Sequence, residues 1–367
     1  MEAFKEAFSE ENSLRIGREV QRVWPEFPLD RFGDGLGMEL ARLALKARVG
    51  VVADRLANVL PQHPGEMFPI LVAALASEDS SHGLQGFSVW PLTELVARHG
   101  LAHPKLAFAA LREMTIRFTA EFALRPFLRH DCSGTLAQLE RWLDDPNPHV
   151  RRLVSEGSRP LLPWGMRLPE LLEPPHPTLG LLERLHRDDS PYVRLSVANH
   201  LNDFSKFHPE LVLDLLRQWL EQTPDDPIQR KLARHACRTL VKSGHRGALE
   251  LLGAAAAGSV TLLEFQIQSN QVAMGERLEF RLRLANRTLS PQRVVLDYRL
   301  HFLRANGRNQ PKVFKWRVLE LAANETIEIH GQHVFRDVTT RRHYPGTHQI
   351  QPQVNGETGP LREFLLR

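Results

Sequence analysis

Three side chains stand in surroundings that mark them as candidates for chemistry. Glu121 lies in Thr119-Ala120-Glu121-Phe122-Ala123-Leu124-Arg125-Pro126-Phe127, an acid inside an otherwise apolar, aromatic stretch. Trp164 lies in Arg159-Pro160-Leu161-Leu162-Pro163-Trp164-Gly165, where prolines and a glycine force an irregular loop. Asp203 ends a polar cluster with Asn199, His200 and Asn202. Carboxylates and an indole face stabilise positive charge, and a carboxylate can also hold and deprotonate a water. Each has a plainer reading. Glu121 can face solvent or pair with Arg117 or Arg125 one turn away. Trp164 can plug a gap between stacked elements, and Asp203 can cap the turn at Ser205 while its neighbours are solvated. A fourth feature is cationic: Arg230, Arg234, Arg238 and Lys242 recur every four residues, which on a helix makes a stripe about 18 Å long at ~1.5 Å per residue. Like charges so placed repel, so the stripe is either a solvated face or the seat of an anionic partner.

The elements that must position these groups repeat themselves. Pro148-His149-Val150-Arg151 and Pro191-Tyr192-Val193-Arg194 are the same phrase 43 residues apart, within the ~40–47 residue period of HEAT and armadillo repeats. A weaker third copy runs from Asp225-Asp226-Pro227 through Ile228-Gln229-Arg230-Lys231-Leu232. In each copy an acidic residue and a proline precede an apolar run, the grammar of a capped helix start. Val193, Val197 and Leu201 supply a core stripe at i, i+4, i+8, so the cluster around Asp203 is expected to look outward, onto the inner surface of the superhelix or to bulk water. Upstream, apolar residues such as Leu40, Leu43, Ala44, Ala47 and Val51 recur at helical spacing, and helices are expected to open at Trp90-Pro91 and at His103-Pro104. The helix around Glu121 is expected to end or kink at Pro126.

After the small-residue junction at 253–259 the period changes to two. Arg277-Leu278-Glu279-Phe280-Arg281-Leu282-Arg283-Leu284 alternates without fault, as a half-buried strand does. Further strands are expected at 263–267, 294–302, 314–318, 326–329, 347–354 and 362–366, with turns at Asn306-Gly307, Asn324 and Asn355-Gly356. About seven short strands in this span have the rhythm of an immunoglobulin-like β-sandwich. The expected architecture is therefore an α-helical HEAT-like repeat solenoid, residues 1–258, followed by an immunoglobulin-like β-sandwich, residues 259–367.

Composition narrows the class. The chain has 367 residues, 42% of them hydrophobic and 25% charged, which is globular and not disordered. Its two cysteines, Cys132 and Cys237, form no Cys-x-x-Cys, so neither a disulfide framework nor a zinc site is expected and a reducing cytoplasm fits best. Glu2, Glu6, Glu10 and Glu11 near the start argue against a signal peptide, and no run reaches the ~18 apolar residues of a membrane span. Residues 1–258 hold 31 Lys and Arg against 33 Asp and Glu, whereas 259–367 hold 16 against 10. The whole positive excess is C-terminal, which suits a polyanion.

Five segments together resemble the bacterial DNA alkylation-repair glycosylases built from HEAT-like repeats. They are Trp90-Pro91 with its helix, 119–127, 150–157, 193–203 and 233–242, and they stand in the family's order. The strand-rich C-terminal extension resembles the AlkC branch of the AlkC/AlkD superfamily. The resemblance implies a monofunctional glycosylase that removes 3-methyladenine, and 3-methylcytosine with it, from double-stranded DNA, as a monomer without metal or cofactor. It places Glu121, Glu156, Trp164 and Asp203 at the lesion. The stripe of Arg230, Arg234, Arg238 and Lys242, helped by Arg152, Arg159 and Arg194, is then expected to position the phosphate backbone. A base alkylated on a ring nitrogen is already a good leaving group, so the demand falls on stabilising the positive sugar and delivering water. The competing reading is a non-enzymatic HEAT-repeat scaffold that binds nucleic acid or protein. A scaffold has no use for carboxylates and a tryptophan on successive repeats.

Overall fold

The computed structural model describes residues 2–77, 82–256, 258–336 and 342–367, and the chain divides into two compact units, Met1–Phe204 and Ser205–Arg367. The first unit is helical. Prolines open its principal helices at the first turn, where their missing N–H costs nothing: Pro104–Arg117, Pro148–Gly157 and Pro191–Phe204. The side chain of Asn147 accepts from the amide of His149 at 2.9 Å, the capping that the sequence pattern called for. Three helices pack on the second helix after them: Leu45–Ala57 on Trp90–His99, Pro64–Ala73 on Pro104–Arg117, and Pro148–Gly157 on Pro191–Phe204. This is a stack of helix pairs, and Val150, Leu153, Val154, Val193, Val197 and Leu201 are wholly buried along its seam.

The stack is also pinned by a recurring ion pair. Arg112 grips Asp145 with two nitrogens at 2.7 and 3.1 Å, and one repeat later Arg151 grips Asp188 at 2.6 and 3.0 Å. These bidentate contacts tie one helix to the turn that opens the next. Hydrogen bonding to Asp188 raises the Arg151 pKa. Burial by itself would push the Asp188 carboxyl up, but the bond from Arg151, the Ser190 amide and the charges of Arg151 and Arg194 together outweigh it and hold the group below its usual range.

Two expectations need correction. Glu121 is not inside a helix: the helix ends at Arg117, and Glu121 sits in a turn before Leu124–His130, with Pro126 tolerated in that helix's first turn. The amide of Ala120 donates to Thr115 Oγ1 at 3.1 Å and closes this turn. The polar cluster does not look outward either, because His200, Asn202 and Asp203 are 0%, 2% and 1% exposed. They can go inside because the preceding repeat supplies partners, as buried polar groups require. His200 bonds the carbonyl of Ser155 at 3.0 Å and Thr178 Oγ1 at 3.2 Å, and Asp203 meets Arg159.

The second unit begins with helices Pro209–Gln222, Pro227–Ala236, Arg238–Ser243 and Arg246–Leu251. Asp226 caps the second of these through the amide of Ile228 at 2.8 Å. The cation stripe is not continuous. The helix is interrupted by a turn at Cys237, so Arg230 and Arg234 lie on one helix and Arg238 and Lys242 on the next.

Among the described residues nine strands follow: β1 Val260–Ile267, β2 Gln271–Val272, β3 Arg277–Asn286, β4 Gln292–Leu303, β5 Asn309–Leu321, β6 Thr326–Val334, β7 Gly346–Val354, β8 Glu357–Thr358 and β9 Arg362–Leu366. All seven anticipated strands are present, and the other two, β2 and β8, are two-residue strands. One sheet runs β1-β3-β6 and the other β2-β9-β7-β4-β5, with β8 on β7. Alternate residues of β3 and β4, among them Phe280, Leu282, Leu296 and Leu300, meet between the sheets in one apolar core. Asn306-Gly307 is the tip joining β4 to β5, with Gly307 at φ 73°, the left-handed conformation that glycine adopts freely. The fold is a helical repeat domain followed by an immunoglobulin-like sandwich.

Candidate active site

Glu121 is held by its own turn and by the next repeat. Thr119 Oγ1 donates to Glu121 Oε2 at 2.9 Å, and Arg152 Nη1 donates both to that carboxylate and to Thr119 Oγ1, the latter at 3.0 Å. Arg152 is also 3.5 Å from Glu156, one helical turn along, and its guanidinium lies 5.2 Å from the centroid of the Tyr192 ring. Glu156 accepts from Arg159 Nη1 at 2.7 Å through one oxygen and from Ser196 Oγ at 2.6 Å through the other. Arg159 Nε then donates to Asp203 Oδ2 at 3.0 Å. Burial alone would lower the Arg159 pKa, but Glu156 and Asp203 outweigh it and raise it. Side-chain exposure falls along this chain, from 13% at Glu121 to 8% at Glu156 and 2% at Asp203. The first two acids therefore reach a surface and the third does not.

That surface is a pocket of about 290 Å³. Glu121 and Glu156 line it together with Trp164, Leu162 and Pro163 and with the rings of Phe87, Trp90, Phe118 and Phe122. Trp90 and Phe122 stack at 5.3 Å and 25°, and Phe87 meets Phe118 at 5.4 Å. Trp164 plugs no gap: it is 59% exposed, at φ 63°. Its loop closes through the amide of Leu168 on the carbonyl of Pro160 at 3.0 Å. Beneath it Arg125, fully buried, donates to the carbonyls of Gly157 at 3.1 Å, Pro160 at 3.4 Å and Met166. Burial, helped by nearby Arg159, pushes the Arg125 pKa down to about 10. A pocket lined by aromatic rings and two carboxylates can hold a flat cation and stabilise positive charge.

The structure thus gathers Glu121, Glu156 and Trp164 around one cavity, while Asp203 touches it only through Arg159. Arg152 and Arg159 are committed to these acids. Arg194 closes its own repeat by donating to the carbonyls of Asp188 and Asp189, the latter at 2.8 Å, as Arg151 does to Asp145 at 2.8 Å. Arg230 does likewise to Pro224 at 2.6 Å but keeps its side chain 61% exposed. Within the second unit Arg230 and Arg234 share a groove of about 550 Å³ with Arg217 and Arg293, where Glu221 is the one acid. Lys242 is exposed, and so is Arg238, which donates to the carbonyl of His235 at 2.9 Å.

Sequence reading missed the aromatic wall and the roles of Arg125, Ser196 and Arg217. The wall had a signal: Phe118 and Phe122 bracket Glu121, and Phe87 stands beside Trp90. Arg125 gave none, because its work is tertiary. Among the described residues no group of three or more His, Cys, Asp or Glu side chains is placed to hold a metal ion, and no helix is long and apolar enough to cross a membrane.

The family model described as "Uncharacterised protein YhaZ, C-terminal Ig-like domain" matches residues 261–367. The protein YhaZ of Bacillus subtilis (strain 168) is 38% identical over 367 residues, the whole of both chains. The structure of Pseudomonas fluorescens alkylpurine DNA glycosylase AlkC, bound to DNA containing an abasic site analog, is 38% identical, covers 99% of each chain and superposes with a TM-score of 0.86. The chain belongs to the AlkC family, with YhaZ and AlkC as its relatives.

Proposed function

We propose that the protein is a DNA glycosylase that releases cationic alkylated bases, 3-methyladenine and 3-methylcytosine, from double-stranded DNA. In the reaction the bond between C1′ and the base nitrogen breaks, and its electron pair neutralises the departing base. Water adds to C1′, giving up a proton, and an abasic site remains. The positive charge migrates from base to sugar as the bond breaks, and it does so beside Glu121, Glu156 and the indole of Trp164, which are fixed before the substrate arrives. Glu121, the most exposed acid of the ion-pair network, orients and deprotonates the water. Asp203 holds Arg159, which in turn aims Glu156. Because water is the nucleophile, the enzyme is monofunctional.

The observation that carries this reading is the aromatic pocket that Glu121 and Glu156 line together, in a chain 38% identical to an alkylpurine DNA glycosylase along nearly its whole length. On this reading residues 1–258 hold the catalytic repeats and 259–367 a second DNA-contacting domain, and the enzyme works as a monomer in the cytoplasm. Phosphate contacts fall to Arg230, Arg234, Arg238 and Lys242, joined by Arg217 and Arg293. Lys312, Lys315 and Arg317 on β5, and Arg342, are further exposed cations of the second unit; Arg341 lies outside the described residues. The test is to incubate the purified protein with alkylated duplex DNA and follow free bases by chromatography. Release of 3-methyladenine with an intact, alkali-labile strand supports the reading, and no release with active control DNA overturns it.

A further inference from the structure

The loop that carries Trp164 is held from two sides, and only one of them belongs to its own neighbourhood. From below, Arg125 secures the carbonyls of Gly157, Pro160 and Met166. From the other side comes Lys46, on the helix Leu45–Ala57 and 118 residues earlier in the chain. Its ammonium donates to the carbonyl of Trp164 itself and lies 5.5 Å from the centroid of the Phe122 ring. Among the described residues no other ring packs on the Trp164 indole, which is 59% exposed. The direction of the indole is therefore set by its backbone. That backbone is left-handed, at φ 63°, a conformation that a bulky non-glycine residue keeps only where surrounding contacts over-determine it.

We propose that Lys46 is a positioning residue for Trp164. By binding the carbonyl of the strained residue while resting on Phe122, it fixes the spacing between two aromatic side chains that line the pocket, Trp164 and Phe122. A lysine suits this task because its ammonium serves a carbonyl and a ring face together, through a stem long enough to cross between repeats. The alternative use of an exposed lysine beside a DNA-binding pocket is a phosphate contact, and the two are separable. The kinetic part of the inference rests on the glycosylase reading; the structural part does not.

The test uses full-length protein labelled with 5-fluorotryptophan, whose six tryptophans give fluorine resonances that Trp164→Phe assigns. In Lys46→Met the Trp164 resonance should shift or broaden while the others stay, and Lys46→Arg should restore it. Single-turnover base release should fall about tenfold in Lys46→Met, since small misplacements of a catalytic group cost one to two decades. In a Trp164→Ala background the same change should cost nothing further, because the residue it positions is gone. An unchanged Trp164 resonance in Lys46→Met overturns the inference, as does an equal rate loss in both backgrounds. An unmoved resonance with a flattened salt dependence of DNA binding would assign Lys46 to phosphate instead. If the wild-type protein releases no base, the glycosylase reading fails, and the fluorine spectra still decide the role of Lys46.

Discussion

Glu121 and Asp203 are the two ends of one chain of ion pairs. It runs from Glu121 through Arg152 to Glu156 at 3.5 Å, to Arg159 at 2.7 Å and to Asp203 at 3.0 Å, from the pocket surface into the core. Acids and guanidiniums alternate, so every carboxylate is oriented by an arginine before DNA arrives. In the proposed mechanism this preorganisation lets the site meet a developing positive charge without reorganising.

The buried end of the chain is a matter of stability as much as activity. Asp203→Ala leaves Arg159, only 7% exposed, with Glu156 as its remaining acid, and breaking such a buried pair costs about 3–5 kcal/mol. We expect a thermal midpoint lower by many degrees in Asp203→Ala and a smaller loss in Asp203→Asn, which keeps the shape. Unchanged midpoints in differential scanning calorimetry would mean that Asp203 is not part of the packed network.

Acid should weaken the first unit through His200. Burial, with Arg159 next, pushes its pKa down to about 3, so the unfolded chain binds this proton near the ordinary value of about 6.5 while the folded chain refuses it. The contribution is present in full above about 6.5 and is lost as pH falls toward 3. The limiting slope is about 1.4 kcal/mol per pH unit. Urea unfolding of wild type and His200→Gln at pH 7.5 and pH 5 checks this, and the variant should show the flatter dependence.

Asp297, in the second unit, should act with the opposite sign. Burial raises its pKa to about 6 despite Lys315, so the folded state takes up the proton more readily than the unfolded one and the ionised form costs stability above pH 6. Asp297→Asn should therefore stabilise at pH 7.5 by ~1–3 kcal/mol, with the gain disappearing near pH 4. A destabilised variant at pH 7.5 would show that the carboxylate is held by a favourable partner.

The groove of Arg217, Arg230, Arg234 and Arg293 is assigned to phosphate. Arg234→Gln with Arg293→Gln should weaken binding to all DNA sequences and reduce the salt slope by up to about two phosphate equivalents. Fluorescence anisotropy from 50 to 200 mM salt measures it, and an unchanged slope would return the groove to solvent.

The fold was legible because it is written in local grammar. Proline after an acidic or amide cap opened the repeat helices, as at Asn147-Pro148 and Asp226-Pro227, and the faultless alternation at 277–284 became β3. Glu121, Glu156 and Trp164 met at one cavity, but the environment of Glu121 was misread, because a turn and a helix interior look alike when every neighbour is apolar. The cluster around Asp203 was placed outside because periodicity sees only its own helix. Ser155 and Thr178, which satisfy His200, and Arg159, which takes Asp203, come from elsewhere in the chain. The cation stripe assumed an unbroken helix, and nothing in residues 230–242 announces the break at Cys237. Arg194 and Arg230 looked available for phosphate because the carbonyls they bind become neighbours only once the turn before each helix has folded.

The central claim is that Glu121 and Trp164 act on charge present mainly in the transition state. It is tested most directly by single-turnover release of 3-methyladenine from one defined duplex, with wild type, Glu121→Gln and Trp164→Ala measured beside their DNA dissociation constants. We predict rates lower by about 10²–10³-fold with binding changed only a few-fold, as for groups that stabilise the transition state and not the ground state. Near-wild-type rates in both variants, or a loss of rate fully matched by a loss of binding, would contradict the account.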